Sequence, residues 1–219
     1  MKDNIWADKI LDILIVVVGI LIALGLNSWY DEHKEAKLEQ QYLHTFLEDI
    51  SADIVDLQDD REFANKQHES LLAVLRIIGE QDTSKIDSVL NYTIHFGNFK
   101  EFSPHSIVFK SLIQSGDINI IKDYSLKENL WRLHMQSYEM VTNAEEVYIE
   151  FYMNLLGFLT VHFNYLTGAV SMKEDFYELK FTNMIVALQS ATRQKLVHYD
   201  AAVENAIEIK EQLQGSIEK

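Results

Sequence analysis

Eight histidines, 34 carboxylates and no cysteine are the side chains of this 219-residue chain best suited to chemistry. The histidines stand at positions 33, 44, 68, 95, 105, 134, 162 and 198. None forms an HxH or HExxH pair, the spacings that aim two imidazoles at one metal ion. His44 and Glu48 share a helical face, but a lone pair at that spacing arises often by chance. The absence of cysteine removes disulfides and thiolate metal sites. There is no GxSxG elbow, no P-loop and no GxGxxG turn. The paired Glu-x-x-His segments of a di-iron bundle are missing too. The chain therefore reads as non-enzymatic, with no catalytic residue, metal ligand or cofactor expected.

The carboxylates are more ordered. Asp49, Asp53, Asp56 and Asp60 recur at 4-3-4 spacing, with Glu48, Asp59 and Glu62 beside them. On a helix the first four share one stripe. Calcium wants six to eight oxygens converging from a loop, and a straight helix spreads its carboxylates apart. The expectation is a solvated acidic face. Asp12 stands about one turn inside an apolar run. An acid in a membrane is costly and is a functional candidate, for protons or cations in an oligomeric ring. The plainer alternative is that Asp12 reaches the interface or pairs with Lys9. Six aromatics between Tyr148 and Tyr165 (Tyr148, Phe151, Tyr152, Phe158, Phe163 and Tyr165) could line an apolar or lipid pocket, or simply fill a core.

Such residues need elements to hold them, and the first is an anchor. Residues 10–26 read ILDILIVVVGILIALGL, a stretch of about 25 Å as a helix, against a hydrocarbon core of roughly 30 Å. Trp6 precedes it, and Asn27, Trp29 and Tyr30 follow as interface anchors. Gly19 and Gly25 would let helices approach closely within the span. A cleaved signal peptide fits less well, because Asp3, Asp8 and Asp12 intrude on its charged and apolar regions. The expected partner is the lipid bilayer, crossed once. The short tail before the span places the N-terminus in the cytoplasm and the bulk in the periplasm, at the bacterial inner membrane.

After the anchor, no Gly or Pro occurs before Gly79, and helix formers dominate. Leu43, Leu47, Ile50, Ile54, Leu57, Arg61, Ala64, His68, Leu71, Leu75 and Ile78 keep a 4-3 spacing. That is a coiled-coil or bundle seam over residues 43–78 of a long helix expected at 31–79, offered to the chain's own later helices or to other copies of it. Arg61 and His68 interrupt the seam, as polar residues that fix register do. Residues 80–219 are expected to form a helical bundle packing back on the long helix. A short helix is expected over residues 82–96 and another from Ser103-Pro104 to Ile113. A long helix should run from Leu126 to Phe163 and a last one from Ser171 or Thr182 almost to the end. The stretch 147–166 is apolar, but its Glu150, Asn154 and His162 point to a buried bundle helix and not a second span. The fold class is all-α: a membrane helix continuing into a long coiled-coil helix, then an elongated bundle.

Charge narrows the partners. Lys and Arg total 19 against 34 acids, a net charge of −15, which argues against a nucleic-acid partner because phosphate binding needs a basic face. One proline and eight glycines are too few for an all-β fold.

Two stretches carry a resemblance. DILIVVVGILIALGLNSWYDE, residues 12–32, resembles the opening of an uncharacterised family of single-pass bacterial (Bacteroidota-type) envelope membrane proteins, with Asp12, Gly19, Asn27 and Trp29 matching. Gly25 and Tyr30 depart from its usual Gln and Asn. FSPHSIVFKSLIQSGDINIIKDYSLKENL, residues 102–130, is similar to a second segment of that family at Phe102, Pro104, Leu112, Ser115, Gly116, Ile121, Asp123 and Leu126. The resemblance implies one N-terminal span and a helical domain beyond it, and it brings no activity. The resulting expectation is a membrane-anchored interaction or scaffold protein of the cell envelope, a homo-oligomer that could also hold another envelope protein. The alternatives are an ion-coupled component using Asp12 and a ligand-sensing bundle.

Overall fold

A computed structural model describes residues 4–81, 83–93, 95–97 and 99–218, with side chains from Leu14 onward, Thr83 excepted. Helix α1 runs unbroken from Asn4 to Glu80, 77 residues and about 115 Å. The turn that ends it is set by Gln81, which takes a left-handed conformation at φ 53° and donates its N–H to the Ile78 carbonyl. Gly79, the expected stop, is still helical.

The remaining elements are short until the last two. A 3-10 turn at Thr83–Ser88 leads into α2, Val89–Thr93. A segment without regular secondary structure, residues 99–106, follows. Helix α3 covers Ile107–Ser115 and stops on Gly116, whose left-handed φ of 79° suits a residue without Cβ. After a 3-10 turn, Asp123 caps α4, Tyr124–Arg132, by accepting the Leu126 N–H. One π-helical turn, Leu133–Ser137, joins α4 to α5, Tyr138–His162. A two-residue hairpin pairs β1, Phe163–Asn164, with β2, Ala169–Val170, in the register Phe163 to Val170. A 3-10 turn then leads into α6, Leu179–Ile217. The expected helix start at Ser103-Pro104 is therefore corrected to Ile107. Glu145 and Asp53 hold the Phe102 and His105 amides, so the chain is not helical there.

Helices α1, α5 and α6 form a three-helix bundle. Its lower core joins Leu43, Ile50 and Leu57 to Tyr199, Ile209 and Leu213. Its upper core joins Leu71, Val74 and Ile78 to Tyr148, Leu155 and Leu188. Helix α5 thus runs alongside α1 in the same direction and α6 runs back. Each helix presents a 3-4 seam. On α5 it is Tyr138, Val141, Glu145, Tyr148, Tyr152, Leu155, Leu159 and His162, all buried. On α6 it runs from Phe181 through Thr192, Lys195 and Tyr199 to Leu213.

The α1 seam differs from the sequence expectation in half of its positions. Leu43, Ile50, Leu57, Ala64, Leu71 and Ile78 form one buried row as expected. The second row is Phe46, Asp53, Asp60, Gln67 and Val74, also buried. It is displaced one residue from Leu47, Ile54, Arg61, His68 and Leu75. Ile54 is buried on the flank, Leu47, His68 and Leu75 are half-buried, and Arg61 is exposed and paired with Asp200. Hydropathy favours Leu and Ile for a core row. It is overruled because Asp53, Asp60 and Gln67 find polar partners on another segment. The seam is filled by α5 and α6 of the same chain, so it is not open to another copy.

This register is testable in the full chain. Phe46→Ala should cost about 3–5 kcal/mol in chemical denaturation, the range for emptying a buried aromatic site. Leu47→Ala should cost about 1 kcal/mol. Equal losses would refute the row assignment.

Candidate functional site

The polar seam residues converge on two structures, a strap and a buried layer. The strap is residues 95–97 and 99–105, in irregular conformation, laid along α1 in the opposite direction. Gln67 Nε2 donates to the His95 carbonyl at 3.3 Å. Lys100 Nζ stands 3.5 Å from Asp60 Oδ1. Asp53 Oδ1 accepts from both the His105 amide at 2.9 Å and His105 Nδ1 at 2.8 Å. Successive grips on α1 are seven residues apart, about 10.5 Å of rise each. The other side of the strap is held by α5. The Tyr148 hydroxyl donates to the Phe96 carbonyl at 3.0 Å, and both Glu145 carboxylate oxygens accept from the Phe102 amide at 3.1 Å. Phe96 and Phe102 are the strap's apolar side chains in the core.

The layer sits between the two apolar cores, with one polar residue from each long helix: Gln67, Glu145 and Lys195, all under 5% exposed. Lys195 Nζ donates to Gln67 Oε1 at 3.1 Å and lies 4.4 Å from the centre of the Tyr148 ring, a cation–π distance. The Tyr199 hydroxyl donates to Glu145 Oε1. Burial raises the Glu145 carboxyl to about 7, against the lowering effect of the Tyr199 and Phe102 hydrogen bonds. Burial lowers the Lys195 ammonium to about 8, against the attraction of Glu145 and Asp60. Burial also raises Asp60, opposed by Lys100. The hydrogen bond to Asp53 is the main cause holding His105 above its ordinary value. The layer can therefore store or release protons near neutral pH. What it visibly does is join three helices and the strap. Asp53 Oδ2 and the Tyr138 hydroxyl face one another without a well-formed hydrogen bond.

The sequence-derived candidates are not gathered into this site. Asp12 and Trp6 have side chains outside the described residues. Every described side chain from Leu14 through Glu35 is exposed, and a Cβ added at Gly19 or Gly25 would meet nothing within 4 Å. Asn27 donates to Asp31 at 3.0 Å, Trp29 stacks on His33 with centroids 5.9 Å apart, and Tyr30 is 63% exposed. The helix that carries them is long and apolar enough to cross a membrane. The expected acidic stripe divides. Asp56 is exposed, but Asp53 and Asp60 are buried and bound to the strap, which corrects the reading of a wholly solvated face. Of the aromatic group, Tyr148, Tyr152, Phe158 and Phe163 pack in the upper core, while Phe151 and Tyr165 are exposed. Glu145 and Lys195 were not singled out from the sequence. Their signal was a charged residue falling on the inner row of an otherwise apolar helix.

The chain belongs to a family of unknown function, DUF6090, whose profile matches residues 12–191. No curated protein and no solved structure matches it.

The layer makes stability depend on pH in a calculable direction. Between about 4.5 and 7 the native chain holds a proton on Glu145 that the unfolded chain has released, so stability falls as pH rises through that window. Between about 8 and 10.5 native Lys195 is neutral while unfolded Lys195 is charged, so stability rises with pH there. Thermal melts across this range should show Glu145→Gln removing the falling arm and Lys195→Met removing the rising arm, each relative to wild type. Variants whose melting temperatures track wild type in parallel would contradict the burial of these charges.

Proposed function

We propose that the chain is a membrane-anchored scaffold or interaction protein of the bacterial cell envelope, without catalytic activity. The observation that carries this reading is the exposed apolar stretch from Leu14 to Tyr30, which no described residue of the chain covers. Large exposed apolar surface needs another solvent or a partner. A run apolar on all faces, ending in Trp29 and Tyr30, suits hydrocarbon with an aromatic interfacial end.

On this reading the chain crosses the inner membrane once, with its N-terminus in the cytoplasm and the bundle in the periplasm. Helix α1 continues from the span into the bundle as one unbroken helix. Self-association runs through the anchor, where Gly19 and Gly25 leave room for a second helix, because the seam is occupied by α5 and α6. The acidic outer faces of the bundle remain free for another envelope protein.

The natural chain has no cysteine, which makes single introduced thiols clean reporters. A Gly25→Cys variant in native membranes should give disulfide-linked dimers on oxidation, and Leu71→Cys should not. Ser171→Cys in intact spheroplasts should react with a membrane-impermeant maleimide, and Asn4→Cys should react only after lysis. Extraction of the protein by alkaline carbonate would remove the anchor reading. Dimers through Leu71→Cys alone would return self-association to the seam.

A further inference from the structure

The end of the bundle nearest the apolar segment of α1 is a surface with a definite orientation. His105 is held at Asp53, and the Lys122 N–H donates to Glu39 Oε1 at 2.7 Å. Between those two grips the chain descends α1 from Asp53 to Glu39, about 21 Å of helix rise. Helix α4 then climbs away again. Asn129 donates to Gln212 at 2.9 Å, and further on Ser137 accepts from Asn205 at 2.9 Å, so the partners on α6 fall in number as the chain advances. Tyr124, the first residue of α4, therefore lies at the base of the bundle. Helical side chains lean toward the N-terminus of their own helix, which here is toward the apolar segment.

This base exposes apolar surface. Tyr124 is 72% exposed and Ile113 41%, and Ile120 is half-buried. Lys127 Nζ lies 5.9 Å from the centre of the Tyr124 ring, and Lys122 is exposed beside it. The distances decide what the base can meet. From Tyr30 to Glu39 α1 rises about 13 Å. A headgroup layer about 5–7 Å deep fills the first half of that height if Trp29 and Tyr30 mark its floor. Membrane-spanning helices tilt by about 20° on average. With α4 at least one helix spacing, about 10 Å, from the α1 axis, such a tilt lowers it by about 3 Å. The length of the Tyr124 side chain covers the rest.

We propose that the base of the bundle rests on the bilayer that α1 crosses, with Tyr124 in the headgroup layer, Ile113 and Ile120 above it, and α1 tilted toward its α4 side. The contact rests on the reading of α1 as a membrane anchor. A tyrosine ring with a lysine beside it suits that layer, which accepts the ring and leaves the ammonium among phosphates. Asp117 and Asp123 offset Lys122 and Lys127, so net charge does not drive the contact and zwitterionic lipid suffices.

The test uses the full chain in phosphatidylcholine nanodiscs, with a fluorophore on single introduced cysteines and spin-labelled lipids as quenchers. Asn119→Cys, on the exposed turn of the base, should be quenched by a headgroup label about as strongly as Trp29→Cys. Gln41→Cys stands at nearly the height of Glu39 on the opposite, exposed face of α1, and should be quenched far less. Leu166→Cys, 97% exposed beyond β1, should not be quenched. Adding Tyr124→Ser to Asn119→Cys should abolish most of its quenching. Asn119→Cys quenched no more than Leu166→Cys, Gln41→Cys quenched equally, or quenching unchanged by Tyr124→Ser would each overturn the contact. Leu21→Cys separates the two readings. Its quenching by a chain-labelled lipid, with Asn119→Cys unquenched, would overturn the contact alone, and its own lack of quenching would overturn anchor and contact together.

Discussion

Three polar side chains spaced by seven on one helix cannot lie in an apolar seam unless something meets them there. Asp53, Asp60 and Gln67 occupy the inner row of α1 between Phe46 and Val74. Burying an isolated carboxylate without partners is among the costliest events in folding. The strap removes most of that cost by bringing His105, Lys100 and the His95 carbonyl to those three positions. The dependence runs both ways. The strap has no helix or sheet of its own, so several of its backbone polar groups rely on side chains of α1 and α5. Neither structure is sensible alone. Their mutual requirement sets the register of the chain between α2 and α3 against the bundle.

The same logic explains the buried layer. Gln67, Glu145 and Lys195 interrupt three helical seams at one level, where apolar side chains would pack with less desolvation cost. Apolar layers tolerate sliding by a heptad, because one Leu–Leu contact resembles another. A layer in which Lys195 must reach Gln67, and Glu145 must reach both Tyr199 and the Phe102 amide, has one good alignment. Helices this long, with 3-4 seams throughout, have many alignments of similar apolar burial. The polar layer selects among them, and the near-neutral titration of Glu145 is a consequence of that placement.

The sequence made the long helices legible because their apolar periods are long and unbroken by Gly or Pro, and α1 ends where the pattern ends. It also showed one buried row of α1 in full. The second row was misplaced because local hydropathy prefers Leu47 and Leu75 to Asp53 and Asp60, and only the distant strap reverses that preference. The strap itself was read as a helix start at Ser103-Pro104. Cap and proline are sound local signals, yet Glu145, 43 residues away, takes the Phe102 amide instead. The hairpin at Phe163–Val170 left no pattern that two-residue strands could make. Glu145 and Lys195 were visible only as charges on the wrong face. That sign has meaning once the partner helices are aligned.

The covered seam also constrains how copies could meet. For α1 of a second chain to enter the lower core, residues such as Tyr199, Ala206, Ile209 and Leu213 of α6 would have to leave it. Each large apolar side chain exposed in that way costs roughly 1.5–3 kcal/mol. Lys195 would also lose Gln67 while its ammonium remained charged. An exchange of α6 between two copies would recreate the same contacts without that loss. It would, however, require the connector between α5 and α6 to open, and there His162 is bound to Asp175 at 2.8 Å and stacked on Phe158. The exposed apolar part of α1 has no such obstacle. From Leu14 to Glu35 no described side chain must be displaced before another helix can approach, so for two copies of the chain the exposed apolar segment is a less costly place to meet than the filled seam of the bundle.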